Sequence, residues 1–577
     1  MKILNNPQSA LRLSRIQAFF VLVNLIFILG CKSSSLENPT DKITKQVVSA
    51  KAGLATAHHL ATQIGIDILQ QGGNAIDAAI AVQFALAVCY PNAGNIGGGG
   101  FMVYRDKSGK VYTLDFREKA PRSSTRDMYL DSKGNPSEVA SIYGVTAAGV
   151  PGTVDGMVAA FKKFSALKDW KKLVEPAVQI ANSGFCLSKR EAALLNEKQS
   201  LFEQYNRFQT DFQKDLWKEG DLFIQKNLAG TLIRIRDKGR DGFYKGVTAQ
   251  LIVDEMKHGK GLITAEDLAT YHSVWREPIV GQYRDYTVYS MAPPSSGGIA
   301  LMQLLKMVEP YPLHKMPFHS AQHIHLLAEA EKRVYADRSK YLGDPDFYRV
   351  PGKILTDSMY IMGRMKDFNP RQASSTDSIT FGTLESEETT HFSIVDVEGN
   401  AVSLTTTLND NFGSFTVVKG AGFLLNNEMD DFSIKAGHPN LYGLIGSEAN
   451  KVEPGKRMLS SMTPTIVEKA GKLFLVVGTP GGSTIITSVF QVIVNVIDFG
   501  KNIYDAVQSP RFHHQWKPDS LYIEEDFVSN NLDILESIGH KIKPRDPIGR
   551  VEAILVNPDG TMSIVADRRG DDDAKGY

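Results

Sequence analysis

From His59 to Gln71 apolar residues recur at helical spacing, and the run stops at Gly72-Gly73, which predicts a helix ended by a glycine cap. Asn74 then offers an N-cap to an Ala-rich apolar stretch that reaches Cys89, a helix buried on most sides. The period changes after the glycine run 97–100. Phe101-Met102-Val103-Tyr104 reads as a strand, Asp106-Lys107-Ser108-Gly109 as a turn, and Val111 to Asp115 as the return strand. From Pro151 to about Leu342 the pattern is mostly helical, most clearly from Ser320 to Tyr341, and Asp344-Pro345 ends it. Residues 371–388 are polar and read as a linker. Phe392 and Ile394 then lead through Glu398-Gly399-Asn400 into Ala401-Val402-Ser403-Leu404, a strand, a turn and a second strand. Turns at Asn409-Asp410-Asn411 and Asn426-Asn427, a short strand at Phe474–Val477 and an apolar helix at Thr484–Ile497 follow. This order predicts an α+β chain in packed layers without deciding which layering.

Length and charge narrow the picture little. At 577 residues the chain can bury a large core, and length alone suggests about three or four domains. With 64 basic and 64 acidic residues, nothing argues for a nucleic-acid or polyanion partner. The N-terminus differs from the rest. Lys2, Arg12 and Arg15 precede an apolar run from Ala18 to Gly30, too short for an ordinary membrane span and shaped like an export signal. Ile28-Leu29-Gly30-Cys31 resembles a bacterial lipobox, with Ile in place of the commoner Leu, so Cys31 is a candidate for lipidation after a signal peptide spanning 1–30. Residues 31–47 read as a polar tether. The remaining cysteines, Cys89 and Cys186, lack metal spacing; a buried free thiol is the default for Cys89, and export permits a pairing with Cys186 without establishing it.

Candidate chemistry starts at Thr389. An acidic segment, Leu384 to Glu388, meets the first residues of a strand there. A cut between Glu388 and Thr389 would leave a hydroxyl nucleophile and a free α-amine on one residue, and the amine would be a built-in general base. Taken alone, Thr389 is an ordinary strand residue. Its company alters that reading: Asp115-Phe116-Arg117-Glu118, Thr389-Thr390-His391, Leu425 to Phe432, Ser460-Ser461-Met462-Thr463-Pro464 and Gly478-Thr479-Pro480-Gly481-Gly482-Ser483, in this order. From about Val48 to Tyr577 the chain closely resembles the γ-glutamyltransferases, or glutathione hydrolases, which are N-terminal-nucleophile hydrolases.

The resemblance implies a four-layer αββα sandwich in which a large fragment (48–388) and a small one (389–577) share the same sheets as a heterodimer. It implies a γ-glutamyl substrate, chiefly glutathione, with water or an amino-acid or dipeptide amine as acceptor, and no cofactor. Arg117 matches the arginine for the substrate α-carboxylate, and Ser460 and Ser461 match the serine pair on the same group. Asp431 matches the acid that takes the α-ammonium, with Asn409 and Glu428 as its helpers. Gly481 and Gly482 match the oxyanion hole, and Thr407 matches the threonine bonded to the nucleophile. Ala436 to Ser447, with Tyr442, matches a loop that covers the glutamyl site in some members. Cleavage falls between Glu388 and Thr389.

Other signals are weaker. His319 and His323 stand four apart with Glu329 nearby, but such pairs are more often packed than metal-bound, and no metal is expected. The glycine run lacks the Lys-Ser/Thr of a nucleotide loop, and no Gly-x-Ser-x-Gly elbow occurs. Two alternatives stay open: a cephalosporin or glutaryl acylase sharing the nucleophile, and a catalytically dead binding lipoprotein of the envelope. The expected location is exported, either in the periplasm or as an outer-membrane-anchored lipoprotein.

Overall fold

The computed structural model describes residues 43–379, 388–435, 447–527 and 531–577. Two seven-stranded antiparallel sheets form its centre. With strands numbered in chain order, one sheet runs β1 (Gln46–Ser49), β13 (Met562–Val565), β12 (Glu552–Val556), β11 (Lys472–Gly478), β10 (Thr465–Lys469), β7 (Tyr286–Ser290), β6 (Ile279–Tyr283). The other runs β14 (Asp573–Gly576), β2 (Gly53–Thr56), β8 (Glu388–Val395), β9 (Ala401–Asn409), β3 (Gly99–Arg105), β4 (Val111–Asp115), β5 (Val274–Arg276). Residues on both sides of position 389 supply strands to both sheets, so separating them would expose the inner faces of each.

Apolar alternation makes the layers. Ala55, Val103, Val395 and Ala401 of one sheet meet Ile466, Val476, Ile554 and Ile564 of the other. Helices α1 (His59–Gln70), α2 (Ala75–Cys89) and α3 (Lys189–Glu197) share an apolar cluster with β8 and β9. Helices α4 (Gly297–Val308), α5 (Ala321–Tyr341) and α6 (Thr484–Ile497) share another with β7, β10 and β11. The expected αββα sandwich is the observed one. In α2 every side chain is buried, and its start is fixed by a capping box between Asn74 and Asp77.

Two details depart from the sequence reading. The stretch read as mostly helical contains β5, β6 and β7. Tyr283 pairs with Tyr286 across a two-residue turn at Arg284-Asp285, and the two strands alternate in burial, a period-2 signal masked by the helices around it. The possible pairing of cysteines is not formed: Cys89 and Cys186 are both free.

Polar ties lock the sheets face to face near the start of β8. Ser393 Oγ donates to the Glu552 carbonyl at 3.0 Å, and Ser403 Oγ donates to the Val477 carbonyl at 3.0 Å. His391 lies between Thr405 Oγ1 (2.9 Å) and Ser393 Oγ (3.1 Å). A Cβ at Gly478 would stand 2.3 Å from the His391 ring, so only glycine lets the strands close over it. Burial lowers the His391 pKa to about 3, which keeps the ring neutral.

Candidate active site around Thr389

Strand β8 pairs regularly with β9 from Val395↔Ala401 to Thr390↔Thr406, yet Glu388 faces Asn409, so the register shifts at Thr389. An irregularity of this kind re-aims a side chain that the ladder would otherwise fix. Thr389 is only 6 % exposed and borders two cavities. Beside it Thr407 Oγ1 accepts the Asn409 N–H at 2.7 Å. Asn409 takes a φ of 80° and donates from Nδ2 to the Asn427 carbonyl at 3.1 Å, which ties the end of β9 to the segment carrying Glu428.

The inner cavity, about 20 Å³, is lined by Arg117, Thr389, Thr407, Asn409, Glu428, Asp431, Ser460, Ser461 and Gly482. Thus eight of the residues singled out in the sequence converge with Thr389 on one space. Arg117 follows the end of β4, where its N–H donates to Asp115 Oδ1 at 3.0 Å and its carbonyl accepts from Tyr271 at 2.8 Å. Its guanidinium pairs with Glu428 at 2.5 Å and with Asp431, while Glu118 stands 3.6 Å away. It also donates to the Leu459 carbonyl at 3.1 Å, next to Ser460. The Ser460 N–H donates to the Pro294 carbonyl at 3.0 Å, and its Oγ accepts from the Met462 N–H at 3.2 Å. The Ser461 hydroxyl has no hydrogen-bond partner among the described residues.

Arg117 therefore faces three buried carboxyl groups, and a second buried cation, Arg338, acts on Asp431 alone among them. Apart from the Arg117 ion pairs, both oxygens of Glu118, both of Glu428 and one of Asp431 have no hydrogen-bond partner among the described residues. Desolvation pushes Glu118 up to about 8, and it raises Glu428 and Asp431 as well, with the charge of Arg117 pulling the other way in each case. Such a cluster is short of positive charge. A ligand bearing an ammonium beside a carboxylate would supply it, the ammonium to the acids and the carboxylate to Arg117 and the serines. Glu118 was named in the sequence only as a neighbour of Arg117; nothing in its one-dimensional context marks it as a buried acid.

Between β11 and α6 the chain turns through Thr479 to Ser483. Gly481 (φ 126°) and Gly482 (φ 53°) lie in the left-handed region, and a Cβ on Gly481 would stand 2.5 Å from Thr484 Oγ1. The Gly481 carbonyl is turned into the helix, accepting from Thr484 N at 2.9 Å and Oγ1 at 2.7 Å. Neither glycine N–H donates a hydrogen bond among the described residues. Gly482 borders the inner cavity and Gly481 the outer one, a wider space of about 240 Å³ that also touches Thr389, Tyr90, Arg190, Asn411 and Arg550. A carbonyl lodged between the cavities would meet a hydroxyl on one side and free amides on the other.

The description Gamma-glutamyltranspeptidase belongs to the family model that matches residues 61–577. This chain belongs to the γ-glutamyltranspeptidase family. It is 47 % identical to the glutathione hydrolase proenzyme of Escherichia coli (strain K12) over 536 residues, 91 % of this chain and 92 % of that one. The corresponding proenzyme of Pseudomonas aeruginosa is 48 % identical over 525 residues, covering 90 % and 93 %. Among solved structures, the cephalosporin acylase of Bacillus halodurans superposes with a TM-score of 0.82 at 26 % identity, covering 95 % of this chain and 99 % of that one. The γ-glutamyltranspeptidase of Helicobacter pylori gives a TM-score of 0.55 at 44 % identity, covering 59 % and 96 %. The γ-glutamyltranspeptidase fold thus accounts for the sandwich and for the position of β8 in its centre.

Some expectations fall elsewhere. Tyr442 and the loop around it, Cys31 with its signal, and the linker next to Glu388 lie outside the described residues. His319 and His323 do not converge with Glu329. The His319 N–H donates to His323 Nδ1 at 3.2 Å, and burial lowers both rings to about 3. Glu329 instead lies with His325 and His540 in a group with metal-compatible spacing. Its oxygens are held by Lys332 at 2.9 Å and Arg333 at 2.7 Å, and His325 bonds to His540 Nε2 at 2.8 Å.

Proposed function

We propose that this family member is a self-cleaving γ-glutamyltransferase and glutathione hydrolase whose nucleophile is Thr389. The observation that carries the reading is the convergence on one cavity beside Thr389 of one arginine, two acids and two serines, with Glu118 as a third acid against the same arginine. In the precursor, Thr389 Oγ attacks the Glu388 carbonyl carbon, the amide shifts to an ester, and water cleaves that ester. Glu388 becomes a carboxylate and Thr389 gains a free α-amine. An α-amino group titrates near about 7.7–8.0, so a neutral fraction exists near neutral pH to take the hydroxyl proton. Thr389 then attacks the γ-carbonyl with Arg117, Ser460 and Ser461 holding the α-carboxylate, and Asp431, Glu428 and Asn409 holding the ammonium. The Gly481 and Gly482 amides meet the oxyanion, and Thr407 aligns the hydroxyl. Cysteinyl-glycine leaves from glutathione, and water or an amino-acid or dipeptide amine resolves the ester.

An acylase acting on glutaryl groups shares the nucleophile but has no ammonium to offer three acids; the acid-rich cavity favours the glutamyl reading. The apolar run before Cys31 and the polar tether behind it support export and a lipid anchor at Cys31, facing the periplasm. Purified protein should run as two fragments, the smaller beginning at Thr389, whereas Thr389→Ala should remain one inactive chain. Two normal fragments from that variant would overturn the assignment.

A further inference from the structure

The outer cavity adjoins Thr389 on the side where the leaving group and acceptor of the proposed reaction lie, and we infer that Arg190 reads their terminal carboxylate there; the inference rests on Thr389 as acyl carrier. Thr389 is shared by both cavities, with Gly482 on the inner wall and Gly481 on the outer. If the glutamyl end fills the inner space, the amine side of the scissile bond extends into the outer one. At about 240 Å³ that space suits a dipeptide rather than a protein chain.

Its charges are two arginines and two acids, and they are not equally committed. Glu191 faces His58 at 3.3 Å and accepts the Ser188 N–H at 2.8 Å, closing the capping box that starts α3. Asp571 accepts from Ser188 Oγ at 2.7 Å. Arg550 is half-buried, bonded to Asp572 at 2.9 Å and to the Tyr90 hydroxyl. Arg190, in the first turn of α3, is exposed and anchored through one nitrogen, Nη1, to the Arg569 carbonyl at 2.6 Å. The remaining edge of its guanidinium is the more open cationic face of the cavity, since Arg550 already holds Asp572, and a planar fork suits a carboxylate. In transfer, the acceptor nitrogen bonds to the γ-carbonyl carbon, the ester C–O bond to Thr389 breaks, and an amine proton passes to the Thr389 oxygen. Arg190 takes no part in that exchange. It is a positioning residue for the incoming or departing peptide.

The test compares the processed wild type with Arg190→Gln and Arg190→Lys. Two ratios of kcat/KM are read: glutathione over γ-glutamyl-p-nitroanilide as donors, and glycylglycine over glycylglycinamide as acceptors. Because Arg190 is exposed, both ratios should fall about two- to fivefold in Arg190→Gln and recover in part in Arg190→Lys. Unchanged ratios, or equal losses for carboxylate and amide acceptors, would overturn the inference. A wild type that turns over no γ-glutamyl substrate would instead sink the reading of Thr389.

Discussion

Two buried clusters of arginine and carboxylate occupy this molecule, and they differ in balance. In the first, Arg511 and Arg569 face Asp567 and Glu524. Each oxygen of those acids accepts at least two donors: Asp567 from the Arg569 and Val551 N–H groups and both guanidiniums, Glu524 from the Ile548 and Arg511 N–H groups and Arg569. The two arginines hold Asp567 well below the usual carboxylate range. In the second, Arg117 faces Glu118, Glu428 and Asp431, with Arg338 as a second buried cation acting on Asp431; beyond the Arg117 ion pairs most of these acid oxygens have no hydrogen-bond partner among the described residues, and the carboxyls are pushed upward. A satisfied cluster holds the chain together. An unsatisfied one waits for a ligand, and its position beside Thr389 says which reaction that ligand undergoes.

Substitutions can break that contrast. The largest effect should come from Arg117→Ala, which removes the cation paired with Glu428 and Asp431: kcat/KM for a γ-glutamyl anilide should fall by about a thousandfold or more. Losing a member of the balanced cluster should act on folding instead. Asp567→Ala leaves Arg511 without its carboxylate and Arg569 with Glu524 alone, and should cost about 3 kcal/mol or more, read as an earlier thermal transition, with kcat/KM of the folded fraction preserved. Asp431→Asn sharpens the comparison, because it removes repulsion from the acid cluster. It should leave the thermal midpoint equal or higher while lowering kcat/KM about a hundredfold.

The smallest effect concerns pH. Glu118 is shifted up from 4.5 to about 8, so between those values the folded state binds a proton that the unfolded state has released. Its contribution therefore erodes stability as pH rises through that window. Glu118→Gln cannot titrate. Its thermal midpoint should match the wild type near about pH 5 and exceed it above about pH 8; parallel curves across that range would contradict the assignment.

Much of this was legible in one dimension, for identifiable reasons. The α1–α2 pair announces itself through Gly72-Gly73 and Asn74, because caps are local chemistry. The β8–β9 hairpin is equally local: Asp396 Oδ1 accepts from the Glu398 and Asn400 N–H groups at 2.9 and 3.0 Å around Gly399. What joins Arg117 to Asp431, or His391 to Gly478, is strand order, and no periodicity encodes which strands become neighbours. The inner site was readable as a set only through the family's motifs. Arg190 and Glu118 escaped because an arginine in a helix's first turn and an acid after a strand look ordinary until their surroundings are known.

The central claim, that the cluster beside Thr389 reads both charges of an α-amino acid, is met most directly by one paired measurement. The mature enzyme is given γ-glutamyl-p-nitroanilide and glutaryl-p-nitroanilide, which share a leaving group and differ only in the α-ammonium and α-carboxylate. A site whose buried acids would be left unpaired should disfavour the glutaryl compound by at least about a hundredfold in kcat/KM. Equal turnover of the two would contradict it.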